Sequence, residues 1–340
     1  MAKIIAAFDA CQAKPCHTRH FICMSETFIP LRVTQKQALT QDIVLFDLTH
    51  PTSQALPEFT PGAHITVQAP NGMRRSYSLC SSPSDTSVWQ IAIKRDALGR
   101  GGSCSMVDDV KVGDVLPTLP WANFFELKPN AASYIFVAGG IGITPILSMI
   151  RHLLGEGHNN FKLYYCTRDA VSTAFAQELN IPELAGKVHI HHDHGDMAQA
   201  FDFWPVFERP SHAHVYCCGP QGLMDSVRDM SGHWPPEHIH FESFGAPQTD
   251  FADNTSFDVV LHQSGQRVHV PAHLSILDAL RACGHGVSSS CESGTCGSCR
   301  TGLLSGEAEH RDLVLRPDEQ AQQIMVCVSR ARSSELVLDL

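Results

Sequence analysis

At 340 residues the chain exceeds what one ordinary hydrophobic core organises, so two or three domains are expected. Thirty-five acidic against 25 basic residues give a formal charge of −10, which argues against nucleic-acid binding, and 43% apolar with 18% charged residues is a globular composition. No tract reaches the roughly 18 consecutive apolar residues of a membrane helix; the nearest, Tyr134 to Leu147, is broken by Gly139, Gly140 and Gly142. Thirteen cysteines without a secretory apolar segment indicate a reducing compartment where thiols serve metals, and a cytoplasmic location is expected.

The first stretch, residues 1–27, lacks apolar periodicity. Cys11, Cys16, His17, His20 and Cys23 do not show the paired spacing of a zinc site, and Met24 stands just before the first strand pattern. A leader is expected here, disordered or not translated, with Met24 as an alternative start.

From 28 to 128 the pattern is of short alternating strands: Leu31 to Thr34, Ile43 to Thr49, His64 to Ala69, Arg75 to Cys80, Trp89 to Lys94 and Val115 to Leu119. Turns at Pro61-Gly62, Asn71-Gly72 and Gly113-Asp114 separate them, which predicts an antiparallel barrel. Two stretches carry chemistry. Arg75-Ser76-Tyr77-Ser78 closes one strand, and Lys94 to Ser103 runs through a glycine-rich turn into a short helix. Free N–H groups at a helix start favour a phosphate, which Arg75, Lys94 and Arg100 would neutralise and to which Ser103 would donate its hydroxyl. Either stretch alone reads as a turn or a packing tyrosine; their joint occurrence points to a ligand.

After Pro129 strands alternate with helices, as in a doubly wound parallel sheet that binds ligands beyond the carboxyl ends of its strands. Tyr134 to Ala138 leads into Gly139-Gly140-Ile141-Gly142-Ile143-Thr144-Pro145 and a helix over Ile146 to Leu154. Pro145 stands where the dinucleotide fingerprint wants its last glycine, but the strand-to-helix context is the one that chemistry needs. Asp169, ending the next strand at Phe161 to Cys166, would accept from a ribose hydroxyl, whereas Arg168 would hold a 2′-phosphate; the residues leave that preference open. Val188 to His192 and His214 to Cys217 are further strands, and Gln221 to Met230 is a helix. His189, His191, His192 and His194 lack a completing ligand set, so they read as hydrogen-bonded or solvated residues at a strand end. Of adjacent Cys217 and Cys218, one is expected buried and one lining the crevice.

Residues 245–256 are polar and breaker-rich, a linker. Beyond it, Phe257 to His262 and Arg267 to Val270 flank Ser264-Gly265 as a hairpin, and Ser275 can cap a helix from Ile276 to Ala282 ended by Gly284. Then comes Cys291-x4-Cys296-x2-Cys299 with a distant Cys327, the plant-ferredoxin spacing for a [2Fe–2S] cluster held by four thiolates. Small residues between the ligands let backbone N–H groups approach the inorganic sulfides. Such a cluster takes one electron at a time, so another part of the chain must feed it.

Motif by motif, from about Leu31 to Leu340, the chain resembles the phthalate dioxygenase reductase family. The likeness rests on Arg75-Ser76-Tyr77-Ser78-Leu79, Gly99 to Ser103, Ala138 to Pro145, Cys217-Cys218-Gly219-Pro220, Phe241 to Gly245 and the cysteine loop, in that order. The resemblance implies a multidomain α/β and β architecture: an antiparallel flavin-binding β-barrel at 28–128, a doubly wound nucleotide-binding α/β domain at 129–244 and a carboxyl-terminal β-grasp ferredoxin at 257–340. It further implies FMN rather than FAD and NADH rather than NADPH. Arg75, Ser76, Tyr77, Ser78, Ala92, Ile93, Lys94, Arg100, Gly101, Gly102 and Ser103 would hold FMN, Thr144 would meet the flavin edge, and Phe244 would cover the ring. Gly139, Gly140, Gly142, Cys218 and Gly219 would line the nicotinamide path, with Asp169 toward the adenosine ribose.

The expected activity is an NADH-dependent iron–sulfur flavoprotein oxidoreductase passing electrons from NADH through FMN and the cluster to a Rieske-type oxygenase in aromatic catabolism, as for phthalate. No catalytic side-chain nucleophile is expected, in keeping with the lack of Ser-His-Asp or H-E-x-x-H signatures. Alternatives are a reductase for a demethylase or carnitine-type oxygenase, and a redox sensor without turnover. A self-sufficient oxygenase is disfavoured because no Rieske C-x-H and C-x2-H set is present.

Overall fold

The computed structural model describes residues 28–99, 101–244, 254–289, 294, 297–312, 314–316 and 318–340. The leader, Arg100, Cys291, Cys296 and most of the linker lie outside the described residues. The chain divides into two compact units, one ending at Phe244 and the other running to Leu340.

The first unit begins with strands β1 (Ile29–Ala38), β2 (Ile43–Thr49), β3 (His64–Gln68), β4 (Arg74–Ser78), β5 (Trp89–Lys94) and β6 (Val115–Thr118). They form one antiparallel sheet in the order β4-β3-β6-β1-β2-β5, and a bridge from Leu79 to Ile91 brings its two ends together as a barrel. Strand periodicity sorts the side chains. Phe46, Leu48, Ile91 and Ile93 fill the barrel, whereas Ile43, Leu45 and Ala92 point outward into a second core shared with the α/β half. Helix α1 (Gly102–Asp109) buries Met106 in the barrel core.

The α/β half is built from β7 (Tyr134–Gly139), β8 (Phe161–Thr167), β9 (Val188–His192), β10 (His214–Cys218) and β11 (Ile239–Glu242), with helices α2 (Ile143–Gly155), α3 (Ala176–Leu179), α4 (Trp204–Phe207) and α5 (Gln221–Met230). All five strands are parallel, in the order β11-β10-β7-β8-β9, so the order reverses between β7 and β10. That switch point opens a crevice beyond the carboxyl ends of those two strands, where Gly139 to Gly142 and Gly219-Pro220 lie. Strand β11 has no counterpart among the expected strands, because its alternation of half-buried Ile239, His240, Phe241 and Glu242 carries little apolar signal.

The second unit comprises β12 (Phe257–Leu261), β13 (Arg267–Val270), α6 (Ile276–Ala282), β14 (Arg300–Ser305), β15 (Ala308–Glu309), β16 (Gln323–Met325), β17 (Arg330–Ala331) and β18 (Glu335–Leu338). Its mixed sheet runs β13-β12-β18-β14-β16, with β12 and β18 parallel, and β15 pairs with β17. Gly265 turns the first hairpin at φ 67°. Ile276, Leu277 and Leu280 on one face of α6 join Val259, Val268 and Leu336 of the sheet in one core, the β-grasp arrangement. Ser275 caps α6 as expected, accepting from the Asp278 N–H at 3.0 Å, and its hydroxyl donates to the Asp278 carboxylate at 2.7 Å.

Candidate flavin, nucleotide and cluster sites

Arg75 leaves β4 toward the first turn of α1. Its Nη1 donates to the Arg74 carbonyl at 2.7 Å, and its Cγ and Nε lie 2.8 Å from where a Cβ on Gly102 would stand. A larger residue at 102 would push that side chain aside. The preceding Gly101 is left-handed at φ 88°, and no side chain among the described residues caps the helix. A cation therefore lies over a helix start whose N–H groups are not tied to a capping side chain, an arrangement suited to a phosphate. Ser103 Oγ accepts from the Asp96 N–H at 3.1 Å, which leaves its own proton to donate. Lys94 forms an ion pair with Asp42 at 3.5 Å, so a phosphate would compete with that carboxylate for it.

Tyr77 supplies the test of whether a ligand fits. Its hydroxyl is buried without a hydrogen-bond partner among the described residues, and burial pushes its pKa up against the weaker pull of Arg75. The hydroxyl of buried Ser78 likewise has no partner among the described residues. Orphaned buried hydroxyls cost about 1–3 kcal/mol each, and a ribityl or ring oxygen would satisfy them. The Ser76 hydroxyl instead meets Thr66 Oγ1 at 2.9 Å across the β3–β4 ladder. Ala92 is buried in the core shared with the α/β half, and Ile93 in the barrel core.

The glycines at the switch point divide into two kinds. A Cβ on Gly142 would stand 2.2 Å from the Cys218 carbonyl oxygen, one on Gly139 2.6 Å from Pro220 Cδ, and one on Gly219 2.9 Å from Gly139. These three let the turns after β7 and β10 touch. Gly140, at φ 52°, faces open space, with no described atom within 4 Å of its absent Cβ. Thr144 is buried and donates to the Ile141 carbonyl at 3.0 Å. Asp169 accepts from the Ser172 N–H at 2.8 Å and its hydroxyl at 2.9 Å, which holds the exposed carboxyl below its usual range. The expectation for the vicinal cysteines is corrected: both Cys217 and Cys218 are 0% exposed, on opposite sheet faces, because successive strand residues point into the two separate cores. Burial raises both thiol pKa values. Phe244 is 44% exposed.

In the second unit, the antiparallel register of Arg300 with Met325 brings Cys299 and Cys327 to the same end of the β14–β16 pair. Both are nearly buried, and the Val326 N–H reaches the Cys299 carbonyl at 3.5 Å. Gly294, at φ 74°, has no room for a Cβ, which would stand 2.6 Å from Val328 Cγ2 and 3.2 Å from Asp312 Cα. Ser289, just before the cysteine loop, receives a hydrogen bond from Arg281 of α6. Two buried thiols at one sheet end, with a glycine that has no room for a side chain close by in sequence to the cysteine loop, fit the thiolate chemistry of an iron–sulfur cluster.

His191 meets the Gln199 carbonyl at 2.7 Å and His192 meets Thr167 Oγ1 at 2.9 Å, in line with hydrogen-bonded residues at a strand end. Sequence reasoning missed a second histidine group. His214 Nδ1 and His240 Nε2 are 3.0 Å apart, His240 stacks on Tyr216 at 4.4 Å, and the His238 ring is 4.6 Å from that of His214. Only the parallel pairing of β10 with β11 assembles it, so no local spacing reveals it.

A barrel with an orphaned tyrosine hydroxyl, a nucleotide-type α/β half and a cysteine-bearing β-grasp unit on one polypeptide define a flavin-dependent, ferredoxin-type oxidoreductase. The family models bear this out by region: the oxidoreductase FAD-binding domain matches residues 30–118, the oxidoreductase NAD-binding domain 136–229 and the 2Fe-2S iron-sulfur cluster binding domain 259–332. The chain is 57% identical over 318 residues to the phthalate 4,5-dioxygenase oxygenase reductase subunit of Pseudomonas putida, covering 93% of this chain and 98% of that protein. The solved structure of a phthalate dioxygenase reductase, described as modular for electron transfer from pyridine nucleotides to [2Fe-2S], superposes with a TM-score of 0.81 at 55% identity, over 93% of this chain and 99% of that one. Identity is 38% over 323 residues to the carnitine monooxygenase reductase subunit of Escherichia coli, 91% of this chain and 98% of that protein. The chain belongs to the phthalate dioxygenase reductase family, and its cofactors are a flavin, a pyridine nucleotide and a [2Fe–2S] cluster.

Proposed function

We propose that the chain is the NADH-dependent reductase of a Rieske-type aromatic-ring dioxygenase acting on phthalate or a close analogue, with FMN as its flavin. The observation that carries the reading is the Arg75 side chain against the start of α1, which no described side chain caps, beside a Tyr77 hydroxyl without a described partner. One anchored phosphate and one buried ring partner are what a mononucleotide flavin needs. The step from 57% to 38% identity favours phthalate-type over carnitine-type systems.

Bound flavin and cluster together turn a two-electron hydride donor into a source of single electrons. The protein's part is orientation and exclusion of water. Arg75 and Gly101 to Ser103 hold the phosphate, with Arg100 as a further cation, while Tyr77 and Ser78 donate to the flavin. Ala92, small and buried, leaves the strand face flat for a ring, and Thr144 and Phe244 meet its edge and face. Gly140 gives the nicotinamide its room, and Asp169 accepts from the adenosine ribose, which favours NADH over its phosphorylated form by charge repulsion. Cys291, Cys296, Cys299 and Cys327 ligate the cluster. No helix among the described residues is long and apolar enough to cross a membrane, and the chain is assigned to the cytoplasm, where NADH and reduced thiols coexist.

The test is anaerobic addition of NADH to the whole protein. Rapid bleaching of a yellow chromophore, then cytochrome c reduction, and NADH use coupled to a phthalate-type substrate once the oxygenase is added, are expected. Bleaching without onward transfer would favour a sensor, and no bleaching would end the reductase reading.

A further inference from the structure

Arg151 lies on α2 two turns beyond Thr144, and neither the phosphate site nor the nucleotide loop uses it. Its Nη1 donates to the Cys80 carbonyl and, at 2.9 Å, to Gln90 Oε1 of β5. Its Nη2 meets the Glu178 carboxylate of α3. Gln90 is itself held by Asp47 Oδ1 at 2.9 Å, and the Cys80 N–H pairs with the Gln90 carbonyl at 2.9 Å. One guanidinium, mostly shielded at 23% exposure, thus grips the barrel where the chain leaving β4 meets β5. Ser78 precedes Cys80 by two residues, and Ala92 follows Gln90 by two. At its other end, α2 starts directly after the Gly140 turn.

We infer that Arg151 is a positioning residue that fixes the flavin-bearing strands against the nucleotide-bearing turn, and so sets the rate of hydride transfer. The inference rests on the reductase reading above. The step served moves one hydride, two electrons and a proton together, from C4 of the dihydronicotinamide, which is oxidised, to N5 of the flavin, which is reduced. A planar, always-charged fork with three acceptors on two sides defines an angle as well as a distance, which a lysine cannot reproduce.

The test compares wild type, Arg151→Met, Arg151→Lys and Glu178→Gln as full-length holoprotein in anaerobic stopped flow. Arg151→Met is expected to keep its flavin and to bind NADH within about 2-fold of wild type, while limiting flavin reduction falls about 10- to 100-fold, the scale of a misplacement near 1 Å. Arg151→Lys should recover only part of that loss, and Glu178→Gln should lose about 3-fold. Calorimetry of the flavin-stripped chain provides a readout independent of turnover: the transition of residues 28–244 should broaden or split in Arg151→Met as the two halves uncouple. A wild-type limiting rate in flavin-retaining Arg151→Met overturns the inference. Should that variant lose its flavin, an undivided calorimetric transition or a wild-type rate in Glu178→Gln overturns it instead. Failure of NADH to bleach the wild-type protein overturns the reductase reading itself, whereas wild-type bleaching with unchanged variants removes only the role of Arg151.

Discussion

Helices α1 and α6 begin in opposite ways. Ser275 closes the start of α6 with its own hydroxyl, reinforced by Asp278, so the first turn is satisfied from within. Helix α1 starts on left-handed Gly101 with no described side chain to cap it, and a guanidinium lies against it. A helix that starts on glycine is less stable by roughly a few tenths of a kcal/mol than one capped by serine, and such a cost persists where a ligand offsets it. The contrast extends to the two units. In residues 28–244 ligand chemistry is assigned to helix starts and close backbone turns, whereas in 254–340 the helix is structural and the chemistry is assigned to loop thiols.

The division of labour is broken most severely at a cluster ligand. Cys327→Ser is expected to cut cytochrome c reduction by more than about 100-fold while NADH still bleaches the flavin within about 2-fold of wild type. Stopped-flow absorbance separates the two steps, and equal loss of both would show that the units do not divide the work. Next in size, Arg75→Ala removes the cation over the open helix. Charge-assisted hydrogen bonds are worth about 1.5–3 kcal/mol, so FMN affinity should fall roughly 10- to 150-fold, read by flavin retained after desalting. Undiminished flavin content would assign the phosphate elsewhere.

Much of this contrast is legible in the sequence because it is local. The helix over Ile276 to Ala282, its Ser275 cap and the strands at Ile43 to Thr49, Trp89 to Lys94 and Val188 to His192 have the bounds their patterns predict. Gly101-Gly102 and the spacing of Cys291, Cys296 and Cys299 also declare themselves within ten residues. Arg151 does not, since its partners Gln90 and Cys80 lie 61 and 71 residues away and a helix arginine reads as surface. The expectation that one of the vicinal thiols lines the crevice fails for a related reason: adjacency in sequence says that two thiols face opposite ways, not that either side of the sheet is open. The β11 strand and its histidines needed tertiary pairing to exist at all.

A smaller effect sharpens the comparison at the closed helix. Ser275→Ala should destabilise the ferredoxin unit by about 1 kcal/mol, lowering its Tm by roughly 4–8 °C for a domain of its size. All four tryptophans, Trp89, Trp121, Trp204 and Trp234, precede Phe244, so their fluorescence reports the first unit alone. The cluster's visible circular dichroism reports the second. The variant should shift the second melt and leave the first unmoved.

The mildest test uses pH and the same two probes. Burial, then His214, Lys128 and His238, push the pKa of His240 down to about 4, and burial with His238 and Lys128 also lowers that of His214 against the opposing pull of Glu237. An unfolded histidine titrates near about 6.5, so between that value and about 4 the unfolded chain binds more protons than the folded one. Stability from these residues is therefore complete above pH about 6.5 and is lost as pH falls through the window. In the second unit the His269 hydrogen bond leads the forces that hold the Asp258 carboxyl below its usual range, so its contribution survives until the pH drops further. Tryptophan melts should consequently fall between pH 7 and 5 while cluster melts hold, and His240→Phe, which keeps a ring against Tyr216 but cannot titrate, should flatten the tryptophan slope. A slope unchanged by that substitution would mean that the stacked histidines are not what acid attacks first.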